Sequence, residues 1–249
     1  MRLLTHELRN QLRLYIRSRE LAFFTFMLPL IIFILLGSVY GKDRIEGVKG
    51  SRYLLAGMLG YGVVATVFAG LSIILVIRRE SGVLKRLRAT PLPAPTYVAA
   101  MLATFLLAFA LEVVALIVLA RVLFDVPLPG RPVSLALSLA LGAAAFSALG
   151  VGLAALVRTA EGSSAVVNAI YLPMAFLSGS FFSPHSFPQF LRAIADVLPL
   201  TYFIRLVRDV MLHGDEIWSD LGAVAVVAAW GAVGLAVALR RFRWEPHEG

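Results

Sequence analysis

The chain has 249 residues, 59% of them hydrophobic and 15% charged, where an ordinary soluble domain carries about 25% charged residues. Its 23 Lys and Arg against 15 Asp and Glu leave a net charge of +8, and it contains no cysteine. These figures argue against a soluble globule, exclude a disordered chain and leave no disulfide framework or cysteine nucleophile, while His6, His185, His213 and His247 are too scattered to form a zinc-ligand face.

In chain order, residues 1–20 come first. Leu4, Leu8, Leu12, Tyr15 and Ile16 share one helical face, and Arg9, Arg13 and Arg17 form a basic stripe beside it. This pattern predicts an amphipathic helix lying along the inner leaflet, although the same charges also suit a positive flank that only sets topology. A 20-residue apolar stretch follows with no small-x-small cleavage site, so the segment reads as a retained anchor and not a cleaved signal.

A bilayer-spanning helix needs about 20 nearly uncharged residues. Six stretches meet or approach that length: 21–40, 53–77, 97–119, 133–156, 165–182 and 221–239. They make up about half the chain, which predicts a single all-α integral membrane domain of six transmembrane helices over 1–249. With the N-terminus inside, the inner segments hold 14 Lys and Arg and the outer segments 9, so both termini are expected in the cytoplasm. Trp218 and Trp244 flank the last span as interfacial aromatics do.

Two connecting segments are not simple loops. Between the second and third spans, Glu80 to Ala89 can form a short helix with Val83, Leu84 and Leu87 on one side and Lys85, Arg86 and Arg88 around the rest; Thr90-Pro91 ends it. Such a basic helix suits docking on a soluble partner, and composition also allows a plain solvated loop. Residues 183–220 are too long for a turn: Pro184, Pro188 and Pro199 divide them, and apolar residues recur at helical spacing on either side of Pro199. They predict short outer helices that dip into the interface or line a cavity.

Arg78-Arg79-Glu80-Ser81-Gly82, running into Arg86-Leu87-Arg88-Ala89-Thr90-Pro91, resembles the cytoplasmic coupling helix of the ABC-2 type transporter permease family. Leu177-Ser178-Gly179, Phe182-x-Pro184, Pro188 and Leu198-Pro199-Leu200-Thr201-Tyr202 resemble that family's signature around the fifth helix. The resemblance covers all six spans and the N-terminal helix, with daunorubicin-type exporters the nearest in style. It implies an exporter's membrane subunit that works with a second permease subunit, identical or different, and with two copies of a separate ATPase in a prokaryotic inner membrane. No G-x-x-x-x-G-K-[ST] loop occurs in the chain, so ATP and magnesium are expected on the partner, with no cofactor, metal or nucleic acid bound here. Arg79, Glu80, Gly82, Leu84, Arg86, Leu87, Ala89, Thr90 and Pro91 are the implied ATPase-coupling residues.

Glu112 is the lone ionisable residue within a predicted span, roughly 22 Å along the third helix from its cytoplasmic end. It either serves a cationic substrate or protons, or only bonds a neighbouring helix. Together with Asn168, Ser178, Gly179, Phe182 and Pro199 it forms the candidate substrate path or gate. Glycines in the second and fourth spans (Gly57, Gly60, Gly62, Gly70, Gly142, Gly150, Gly152) predict close helix packing, and Pro29 and Pro173 predict kinks. A secondary transporter using Glu112 is the alternative function. A serine protease built on Ser180 is disfavoured, because no predicted span holds a histidine base. The substrate, a drug, lipid or glycolipid, is not legible.

Overall fold

The computed structural model describes residues 2–18, 23–87 and 93–242. Helix α1 spans Arg2–Arg17. Of the face expected to lie in the leaflet, Leu8, Leu12 and Tyr15 are half-buried against the bundle while Leu4 and Ile16 are 41% and 72% exposed, and the most enclosed residue is Gln11. A wide π turn, Phe23–Met27, leads into α2, Leu28–Tyr40. Pro29 stands in the first turn of α2, where its missing N–H leaves the ladder to be re-satisfied, and the wide turn sits next to that gap. Strands β1 (Arg44–Ile45) and β2 (Val48–Lys49) pair antiparallel through Glu46 and Gly47, whose φ values of 50° and 80° suit a tight two-residue hairpin turn.

Helix α3, Gly50–Glu80, is the central element: every residue from Tyr53 to Ser72 is buried. Its stretch Val63–Gly70 is π-wound. A two-residue turn at Ser81 and Gly82, the latter at φ 71°, separates α3 from the short α4, Val83–Leu87, so the helix expected without a break from Glu80 is two pieces. The chain continues with α5 (Ala94–Phe124), α6 (Pro132–Leu156), α7 (Ala160–Leu177), α8 (Gln189–Ala195), α9 (Pro199–Arg208) and α10 (Leu221–Arg241).

Helices α3, α5, α6 and α10 are long and apolar enough to cross a membrane, whereas Thr25–Tyr40 is a shorter apolar helix. The 18-residue α7 carries Glu161, Ser163, Ser164 and Asn168, which lower its hydropathy. It begins five residues before the expected start, where the Thr159 side chain accepts from the Gly162 N–H, and it ends five residues early because Gly179 (φ 89°) turns the chain.

The glycines admit close neighbours, as expected of small residues in membrane helices. Their partners were not predicted. Gly57 faces the Ser180 carbonyl, Gly60 takes Ile204, Gly62 faces Glu112 and Gly142 takes Phe203. Helix α9 is therefore a wedge between α3 and α6, with Leu200, Phe203, Ile204, Leu206 and Val207 all at most 2% exposed. The most extensive helix pair is α6 with α10, whose backbones approach closely: a Cβ on Gly152 would lie 2.6 Å from the Gly234 carbonyl oxygen.

Candidate functional site

Three clusters of polar side chains interrupt this apolar bundle. The first lies at the end of the bundle that holds α1, α4 and the last turn of α10. The Arg78 Nη1 donates to the side-chain Oε1 of Gln11 and to the Tyr97 hydroxyl at 2.7 Å, which ties α1, α3 and the start of α5 together. Its neighbour Arg79 is 1% exposed and turns the other way. Arg79 donates from Nη1 to the Ala154 carbonyl at 2.8 Å, from Nη2 to the Val157 carbonyl, and from Nε to Glu80 Oε1 at 2.7 Å. The last carbonyls of a helix lack intrahelical partners and form the negative end of its dipole, so Arg79 caps α6. Among the expected coupling residues, Arg79 is thus an internal clamp. Leu84 is fully buried and anchors α4, while Lys85 and Arg86 are exposed. Ala89, Thr90, Pro91 and the side chain of Leu87 lie outside the described residues.

The second cluster surrounds Glu112, which is fully buried. Its Oε2 is 2.8 Å from Thr66 Oγ1, and Thr66 Oγ1 is 3.0 Å from the Thr25 carbonyl oxygen. Thr25 Oγ1 is 2.5 Å from the Tyr15 hydroxyl, whose ring packs edge-on against Phe105. Glu112 Oε1 has no hydrogen-bond partner and lies against Gly62, where only the lack of a Cβ leaves it room.

The third cluster is at the opposite end. Glu46, at the hairpin tip, takes contacts on one oxygen from Ser183, from His185 Nδ1 at 2.8 Å and from the Tyr53 hydroxyl at 3.3 Å. Burial pushes its carboxyl upward, but the hydrogen bonds of Ser183 and His185 and the charge of Arg208 outweigh this and hold it below the usual glutamate range. Arg208 stacks 3.7 Å from the centre of the Tyr53 ring and donates to the Gly179 carbonyl. These residues border a cavity of about 380 Å³ lined by Glu46, Ser178, His185, Arg192, Arg205 and Arg208 among others. A depressed carboxyl stabilises the clasp above its unfolded pKa, and that contribution is lost as pH falls through its folded value. Acidification to below the usual glutamate range should therefore free the hairpin. Hydrogen exchange at residues 42–49 should rise there, and Glu46→Gln should show the faster exchange already at neutral pH.

The candidate path residues do not converge. Glu112 is enclosed by α3 and α5, Asn168 is half-buried on α7, Ser178 and Gly179 border the third cluster, Pro199 begins the wedge, and Phe182 is 47% exposed. The sequence marks Tyr15 only as part of the apolar face of α1, and does not single out Thr25, Thr66, Glu46 or Gln11. A hydroxyl within an apolar run was the available signal for Thr25 and Thr66, though serine and threonine are common enough in spans to carry little weight alone.

Residues 3–212 match the family described as ABC-2 type transporter. Over 173 residues the chain is 25% identical to the inner membrane transport permease YhhJ of Escherichia coli, a stretch that is 68% of this chain and 46% of that protein. The chain thus spans about half the length of that relative. Over 212 residues it is 21% identical to the putative transport permease YvfS of Bacillus subtilis, covering 85% of this chain and 86% of that protein.

Proposed function

The chain belongs to the ABC-2 type transporter family, and from that premise we propose that it is the membrane subunit of an ATP-driven exporter, docking a separate ATPase through α4. The observation that carries this reading is the setting of α4. Two exposed cations, Lys85 and Arg86, sit on a short helix that is anchored by buried Leu84 and joined to α3 by a two-residue turn. Directly before that turn, Arg79 clamps α3 to the end of α6. A displacement of α4 by nucleotide-driven closure of the ATPase would therefore move α3 and α6 together, and Arg78 would carry it to α1 and α5. The excess of Lys and Arg on the same side supports cytoplasmic termini and an inner-membrane location.

A second permease subunit, identical or different, would complete the transporter beside two ATPase copies. Supporting this, α7 presents Glu161, Ser164 and Asn168 at helical spacing on its exposed or half-buried side, and polar groups facing lipid are unfavourable unless protein or water meets them. A hydrophobic or amphipathic substrate, such as a drug, lipid or glycolipid, suits the apolar groove of about 650 Å³ bordered by Leu102, Leu106, Val151, Leu235 and Phe242.

Affinity purification of the full chain from its host membrane, followed by mass spectrometry, tests the docking. A phosphate-loop ATPase should accompany it in comparable amount. The Lys85→Glu/Arg86→Glu variant should retain about a tenth or less of that ATPase while its thermal stability is unchanged, since reversed charges at a docking rim repel and both side chains are exposed. Absence of an ATPase from the unmodified preparation would sink the reading.

A further inference from the structure

The protons around Glu112 can be counted. Thr66 Oγ1 carries one hydrogen and stands 3.0 Å from the Thr25 carbonyl oxygen, which can only accept, and 2.8 Å from Glu112 Oε2. If Thr66 donates to Thr25, the second contact is a hydrogen bond only when Glu112 is the donor. Among the described residues no cation pairs with Glu112; the ionisable groups close enough to act on it are Tyr15 and Tyr61, neither of which brings a positive charge. An ionised carboxylate there would be buried with no cation beside it among the described residues, and with Oε1 unpartnered against Gly62.

We infer that Glu112 is a proton-binding site, a neutral carboxylic acid that donates to Thr66, which donates to the Thr25 carbonyl, while the separate Thr25 hydroxyl meets Tyr15; these contacts link the middle of α5 through α3 and the π turn before α2 to α1.

The backbone supports this assignment. Thr25 and Thr66 both lie in π-wound segments, Phe23–Met27 and Val63–Gly70, where the regular ladder is broken and side chains are re-aimed. Thr66 brings its hydroxyl to the carboxyl and Thr25 brings its backbone carbonyl to Thr66, and each segment departs from α geometry where it does so. Chemically, the site holds one proton exchanged with solvent when α1 and α2 part from α3. Its function is to hold the surface helix in register with the bundle, and loss of the proton would place a charge where nothing compensates it.

The full chain in lipid nanodiscs, labelled with carbon-13 glutamate, allows a direct test by infrared spectroscopy at neutral pH. A band of a hydrogen-bonded carboxylic acid is expected, shifted by Thr66→Val and removed by Glu112→Gln. Hydrogen exchange gives an independent readout. Exchange in residues 23–27 should accelerate about three- to tenfold in Thr66→Val and in Glu112→Ala, the loss expected for one net hydrogen bond. It should remain at the unmodified rate in Glu112→Gln, whose amide still donates. The unmodified protein showing only carboxylate bands would overturn the assignment, and so would Glu112→Gln loosening α2 as much as Glu112→Ala. Neither measurement depends on an ATPase or a transported substrate, so the site stands or falls apart from the exporter reading.

Discussion

Gly234→Leu is expected to prevent the chain from accumulating in a folded state. A Cβ at Gly234 would lie 2.5 Å from the Leu149 amide nitrogen and 2.6 Å from its Cα, and the facing Gly152 is equally close to the Gly234 carbonyl. One turn earlier, a Cβ at Gly231 would lie 2.9 Å from the Ala145 Cα. The obstacles are backbone atoms on α6, which cannot rotate away as a side chain can, so the helices must separate along their whole contact. Overpacking a well-filled site costs about 1–3 kcal/mol when side chains can adjust. Gly234→Ala should fall in the upper part of that range, read as a lower thermal midpoint in detergent by fluorescence-detected size exclusion. The leucine variant should yield little monodisperse protein, whereas Gly130→Ala, at a site with nothing within 4 Å, should match the unmodified chain.

Arg79→Ala is the second large effect, and it separates structure from docking. The substitution removes three charge-assisted donors at once, leaving the Ala154 and Val157 carbonyls and Glu80 without them. Breaking one partner of a buried pair typically costs about 3–5 kcal/mol. Arg79→Lys should rescue only part of this loss, because an ammonium lacks the planar fork that reaches two carbonyls and a carboxylate. On the exporter reading, Arg79→Lys should still bind the ATPase through exposed Lys85 and Arg86 but lose most of the substrate-stimulated hydrolysis, since α3 is no longer held to α6. Equal stimulation in Arg79→Lys and the unmodified complex would show that the clamp carries no coupling.

These two residues show what can be read from a linear chain. Arg79 belongs to the distinctive basic segment that the sequence marks, but its neighbours in sequence do not reveal that it turns inward. Arg78, Lys85 and Arg86 share its charge and vicinity, but only Arg79 reaches carbonyls 75 and 78 residues away. The glycines of the fourth span were recognised as packing residues, whereas Gly231 and Gly234, which face them on the sixth, drew no comment. Gln11 illustrates the same limit on α1: the amphipathic pattern placed the leucines inward, but the buried Arg78 contact required a polar residue among them.

The sequence by itself determined the membrane class, the apolar segments and the basic segment between the second and third spans, because hydropathy and charge are summed locally and need no knowledge of neighbours; the family resemblance was carried by the motifs at Arg79–Pro91 and Leu177–Tyr202. It also marked Glu112 as exceptional, since one carboxyl in an apolar run is visible without a fold. Only the tertiary structure decided what Glu112 meets, which arginine turns inward and where α9 inserts. Those choices depend on how far each helix is rotated about its axis. Before α2 and within α3 that rotation is altered by π-wound turns, which shift the side-chain phase away from the regular 3.6-residue repeat. A regular helical repeat therefore does not foretell which neighbour each residue after Val63 meets, and with every residue from Tyr53 to Ser72 buried, hydropathy gives no face to read there.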